Sequence, residues 1–122
     1  MPYLRAFFPF LGVVAATLVF AGAAGAQERP RVLAVEFEND VNPVTQDYLT
    51  DAIDRAEDEG YDAVVILLDT PGGLETSMRE IVKRELEADL PVIVYVAPPG
   101  ARAASAGVWI GQAGDILAMA PA

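Results

Sequence analysis

Two apolar runs, AVVILLD at 63–69 and PVIVYVA at 91–97, constrain the fold of this chain more than any other feature. Both are rich in β-branched residues, and neither alternates apolar with polar. Successive side chains of a strand point to opposite faces, so a strand with one wet face alternates and a strand buried on both faces does not. The runs therefore predict inner strands of a parallel sheet with helices on each side. Between them, Leu74, Met78, Ile81, Val82 and Leu86 recur at helical spacing and predict the connecting helix.

The same unit is legible upstream. RVLAVEFE at 31–38 reads as a first strand, and NPVTQDYLTDAIDRAEDEG at 42–60 as a helix. Asn42 suits the cap and Pro43 the first helical position, where its missing N–H costs nothing. Val44, Tyr48, Leu49, Ala52, Ile53 and Ala56 form one apolar stripe, and Gly60 suits the left-handed residue that ends such a helix. After PVIVYVA come a short helical pattern and DILAMA at 115–120, a last strand. Repeated strand–helix units of this kind give an α/β fold with a parallel sheet and right-handed crossovers.

The first residues stand apart. Arg5, then an uncharged apolar stretch, then Ala24-Gly25-Ala26 before Gln27, carry the marks of a secretory signal peptide over 1–26 with a mature terminus at Gln27. The alternative is an uncleaved N-terminal membrane anchor, near the lower length limit for a span and with Pro9 inside it. The remaining 27–122 make one small domain with a marginal core.

Composition excludes several chemistries. A net charge of −10 argues against nucleic acid, whose phosphates need clustered Lys and Arg. The acidic residues crowd DAIDRAEDEG and KRELEAD, where solvated helix faces account for them. The absence of cysteine removes disulfides, thiol catalysis and cysteine-based metal sites. The absence of histidine rules out a Ser-His-Asp triad, and Lys83 is the one lysine.

Two loops nevertheless stand where a site belongs. In parallel sheets, sites form outside the carboxyl ends of strands. TPGG at 70–73 and GARAASAG at 100–107 both follow strands, so they open on the same edge. Serine-based acyl transfer needs a nucleophilic oxygen, a base and N–H donors for the oxyanion. Ser105, among Ala104, Ala106 and Gly107 at the start of a short helix, can supply the oxygen. Gly72 and Gly73, lacking a Cβ, can turn the backbone and present N–H groups, and the Ala106 amide can add a second donor. A plainer reading fits the same residues: serine is a common helix cap, PGG is an ordinary turn, and AASAG permits close helix packing.

DTPGG at 69–73, PVIVYVAPPGARAASAG at 91–107 and ILAMAP at 116–121 together resemble the NfeD long-form membrane-bound ClpP-class serine proteases, in order and with compatible spacing. More distantly the chain is similar to signal peptide peptidase A and ClpP. The resemblance implies a ClpP/crotonase-type fold of repeated β-α units, here the N-terminal portion of the protease domain and so incomplete at its C-terminus. It implies a Ser-Lys dyad that needs neither metal nor cofactor. Ser105 matches the family nucleophile, Gly72 and Gly73 its oxyanion loop, and Ala106 its second amide position. It further implies a membrane-associated protease domain outside the cytoplasm, a stomatin-like partner, self-association, and cleavage of hydrophobic polypeptide segments. The family lysine lies several tens of residues beyond the serine, where this chain has no counterpart. Lys83 does not match it, so the 122-residue chain is expected to be inactive alone. The competing expectations are a crotonase-like enzyme acting on an acyl thioester and a non-catalytic binding or scaffold domain.

Overall fold

The computed structural model describes residues 28–121; the signal peptide or anchor expected over 1–26, with the Gln27 terminus, lies outside the described residues. Strands β1 (Val32–Glu38), β2 (Ala63–Asp69), β3 (Val92–Val96) and β4 (Ile116–Met119) alternate with helices α1 (Pro43–Asp58), α2 (Glu75–Leu86) and α3 (Ala106–Ala113). The strands are all parallel, in the spatial order β1-β2-β3-β4. This is the expected α/β fold of repeated β-α units.

The register explains the core. Val35, Ile66 and Val94 align across three strands, as do Phe37, Leu68 and Val96. All six are buried, and they share one face of the sheet with Val64 and Val92. Leu49, Ala52 and Ala56 of α1, Ile81 of α2, and Ala106 and Ile110 of α3 join that same cluster. The helices thus cover one face, not the two expected from the apolar runs. The cause is the strand order: each strand is added on the same side of the last, and crossovers of one hand then fall on one face. The other face carries half-buried Val65, Leu67, Ile93 and Tyr95 and exposed Ile116, with no described helix over it.

Helix α1 begins as its sequence indicates. The Asn42 side chain accepts hydrogen bonds from the Val44 and Thr45 amides, and the Thr45 hydroxyl accepts one from the Asn42 amide, completing a capping box. Gly60 has the left-handed φ of 69°. The stripe, however, is narrower than expected: Leu49, Ala52, Ile53 and Ala56 are buried, whereas Val44 is 77% exposed and Tyr48 51%. At about 100° per residue, Tyr48 and Val44 lie roughly 90° and 130° from the centre of the buried arc.

Helix α2 departs further. Its buried line is Ser77, Ile81 and Glu85; Met78 and Val82 are half-buried, and Leu74 and Leu86 are exposed. Of the apolar positions in the sequence pattern, Ile81 joins the core, while Met78, Val82 and Leu86 lie on the flank toward α3. Arg84 ties α2 to α1 through Asp54 at 2.6 Å and Glu57 at 2.7 Å, so part of the acidic surface of α1 is paired rather than simply solvated. Glu85 is 3% exposed and neither carboxylate oxygen meets a hydrogen-bond partner among the described residues. Burial, helped by the nearby Asp115 carboxylate, pushes its pKa up to about 9.

Candidate active site

The two loops read from the sequence leave the same edge of the sheet and are laced together. Thr70, the first residue past β2, bridges to Ala103. Its N–H donates to the Arg102 carbonyl at 2.7 Å, its carbonyl accepts from the Ala104 N–H at 3.0 Å, and the Arg102 N–H donates to Asp69 Oδ1 at 3.0 Å. A third loop, after β1, was not singled out by sequence. Val41 bridges to Gly73, donating to the Gly72 carbonyl at 2.9 Å and accepting from the Leu74 N–H at 2.8 Å. Its one sequence signal was Asn42-Pro43, which marked a helix start and said nothing of a loop partner.

Glycine is required where these loops meet. A Cβ on Gly73 would collide with the Val41 carbonyl oxygen and stand 2.7 Å from the Val41 nitrogen. Gly72 has φ of 108°, a conformation that side chains disfavour, and a Cβ there would stand 2.6 Å from the Cβ of Ser105 and 3.1 Å from its Oγ. The structure therefore brings Gly72 and Ser105 into direct contact, although 32 intervening positions separate them in sequence.

Ser105 stands immediately before α3 with φ of 52° and ψ of −116°, and is the one non-glycine residue with positive φ among the described residues. Its side chain makes no capping hydrogen bond and is exposed. Helix-cap chemistry thus does not explain the serine; a strained backbone that lifts one hydroxyl out of its surroundings is typical of functional positions. The amides beside it divide cleanly. The Gly72 N–H donates to Thr70 Oγ1 at 3.1 Å. The Gly73 and Ala106 N–H groups have no protein acceptor among the described residues. Ala106 opens α3, so its amide also lies at the positive end of a short helix.

A groove of about 830 Å³ runs from this point between α2 and α3. Gly73, Ser105 and Ala106 line it together with apolar Met78, Val82, Leu86 and Trp109. Glu75, Arg79, Lys83 and Glu87 stand along its rim, with Glu75 and Arg79 paired at 2.7 Å. Lys83 is eight residues along α2 from Glu75, which places it about 12 Å down the helix axis from the start of α2. Among the described residues no three His, Cys, Asp or Glu side chains gather where they would hold a metal ion. No described helix is long and apolar enough to cross a membrane.

Parallel β-α units with a serine loop and a glycine loop on one edge define a ClpP-like α/β domain. A solved ClpP1 mutant from Listeria monocytogenes superposes with a TM-score of 0.55 at 17% identity, over 83% of this chain and 51% of that one, which shows the shared fold. No family model matches the chain. It is 41% identical over 90 residues to the membrane-bound protease PH1510 of Pyrococcus horikoshii, covering 74% of this chain and 20% of that protein. The solved 1510-N membrane-bound stomatin-specific protease, in a lysine-to-alanine mutant in complex with a substrate peptide, gives a TM-score of 0.74 at 39% identity over 77% of this chain and 43% of that one. A serine-to-alanine mutant of the same protease superposes equally well, with a TM-score of 0.74. Membrane protein NfeD1b of Bacillus subtilis is 29% identical over 111 residues, covering 91% of this chain and 25% of that protein. This chain is homologous to the N-terminal ClpP-like protease domain of the NfeD-type membrane-bound proteases. It spans about a fifth to a quarter of the length of these curated relatives.

Proposed function

We propose that this chain carries the nucleophile and oxyanion loop of a membrane-associated Ser-Lys endopeptidase that cleaves hydrophobic segments of membrane polypeptides. One observation carries the reading: Gly72 lies against Ser105, with two open amides beside them at the head of an apolar groove. Ser105 Oγ attacks the scissile carbonyl while a neutral lysine takes its proton. The Gly73 and Ala106 N–H groups hold the oxyanion, and Gly72 acts by leaving room for the serine. The leaving amine takes the proton back, and water then releases the acyl group. The groove favours extended apolar side chains, for which Met78, Val82, Leu86 and Trp109 supply contact surface.

The base belongs to the downstream lysine of the family pattern. The related protease was solved with a serine and, separately, with a lysine replaced, which supports a two-residue site. Lys83 lines the same groove but does not match the family lysine, so the 122-residue chain is expected to be inactive by itself. The names of its relatives support membrane association, and 1–26, which reads as an export signal or anchor, supports a protease domain on the extracytoplasmic side. A stomatin-like partner and self-association belong to the same reading, the first supported by the name of the related protease. Neither an acyl-thioester enzyme nor a scaffold calls for a serine held at φ of 52°.

The test is hydrolysis of hydrophobic peptides by the chain extended through a lysine-bearing segment, alongside the 122-residue chain. The extended form should cleave and should label with a serine-directed phosphonate at Ser105. Activity that survives Ser105→Ala in that form would overturn the assignment.

A further inference from the structure

We infer that Thr70 is a positioning residue of this site: its buried hydroxyl engages the Gly72 N–H, which sets the loop so that the Gly73 N–H is left open and Gly72 is held against Ser105. The inference deepens the protease reading and, for its functional arm, rests on it.

Thr70 is 0% exposed, so each of its polar atoms must find a partner within the protein. Its hydroxyl donates to the Asn39 carbonyl at 2.7 Å and accepts from the Gly72 N–H at 3.1 Å. Its main chain holds the serine loop through Arg102 and Ala104. Its methyl group reaches the first turn of α3, where a Cβ on Gly107 would stand 2.6 Å from Thr70 Cγ2. One side chain thus fastens the β1 loop, the glycine loop and the helix that follows Ser105.

The hydroxyl has a part that shape alone does not fill. Valine matches threonine in outline but can neither accept from Gly72 nor donate to Asn39, leaving the buried Gly72 N–H unpaired and the Asn39 carbonyl without this donor. A freed Gly72 amide then competes for the same turn, and the loop is no longer set against Ser105. Serine keeps both hydrogen bonds and gives up the methyl contact with Gly107. The two substitutions therefore separate orientation from packing.

Amide hydrogen exchange, read by mass spectrometry on fragments spanning 70–74, is applied to the 122-residue chain, since it is readable in any oligomeric state. Thr70→Val should speed exchange in that fragment by about tenfold or more while fragments from β2 and β3 keep wild-type protection. Thr70→Ser should keep wild-type protection throughout. In the lysine-extended form, Thr70→Val should lower kcat about a hundredfold with KM changed less than about threefold, because a misplaced donor acts on the transition state. Thr70→Ser should recover most of that loss. Wild-type exchange in Thr70→Val, equal damage from both substitutions, or a rise in KM at constant kcat would each overturn the inference. Should Thr70→Val unfold the chain, Thr70→Ser decides alone: protection kept at 70–74 supports the role of the hydroxyl, and protection lost there overturns it. An extended wild type that fails to cleave counts against the protease reading and leaves the exchange result standing as the test of Thr70.

Discussion

Gly72 and Ser105 touch through an absent side chain: a Cβ on Gly72 would stand 2.6 Å from the Ser105 Cβ, closer than two carbons can sit. The φ of 108° at Gly72 adds strain for any other residue. Gly72→Ala should therefore remove hydrolysis in the lysine-extended form by about a hundredfold or more, since it pushes directly on the nucleophile. Strain should cost about 1–3 kcal/mol of stability, measurable by denaturant unfolding. A fully active Gly72→Ala enzyme would show that the contact is incidental.

Ser105 separates activity from stability. Its hydroxyl makes no capping bond and its side chain is exposed, so Ser105→Ala should change stability by no more than about 0.5 kcal/mol. The same change should lower activity of the extended form on the order of a thousandfold, as expected when a nucleophile and its base act as a unit. Ser105→Gly should be as inactive but more stable than Ser105→Ala by about 1 kcal/mol, because φ of 52° is free of strain for glycine. Parallel melting and hydrolysis assays check both halves; an alanine variant that unfolds would make the serine structural.

Glu85 should give the chain a pH dependence opposite to that of most paired carboxylates. Its folded pKa is raised to about 9, above its ordinary value, so the folded state binds the extra proton through the interval between them. Stability is fully present below the ordinary carboxylate pKa. It falls as pH rises toward about 9, by at most about 1.4 kcal/mol per pH unit from this group. Glu85→Gln should flatten that decline and be the more stable protein at pH 8. Unfolding titrations at several pH values test it, and parallel pH profiles for the two proteins would count against the buried-acid account.

The 122-residue chain should associate when expressed alone. Strand β4 is an edge of the described sheet, and Ile116, Leu117 and Met119 on it are 54%, 51% and 69% exposed. Beside it, Val65, Leu67, Ile93 and Tyr95 line the face with no described helix above. An unpaired edge next to apolar surface invites pairing with another chain. Light scattering should report oligomers or aggregates, and a sharp monomer peak with cooperative unfolding would contradict this.

The sequence by itself determined the elements and their order. Strand β2 occupies 63–69 as its apolar run indicated, Asn42 caps α1, and Gly60 ends it, because turns, caps and periodicity are local hydrogen-bonding and steric facts. It also determined that TPGG and GARAASAG share an edge, since parallel strands with crossovers place their carboxyl ends together. Local pattern could not reveal which faces would be covered. AVVILLD is equally compatible with two covered faces or one, and the choice followed from a strand order that never reverses. Nor does periodicity distinguish α2 positions facing the sheet from those facing α3: KRELEAD has the composition of a solvated acidic helix face, yet Glu85 within it is enclosed. The approach of Val41 to Gly73, the contact of Gly72 with Ser105 and the hydrogen bond from Gly72 to Thr70 join segments whose relative placement depends on the packed sheet. Residue types named the chemistry available at this edge; long-range packing decided which amides are occupied, which stay open, and how close they stand to the serine.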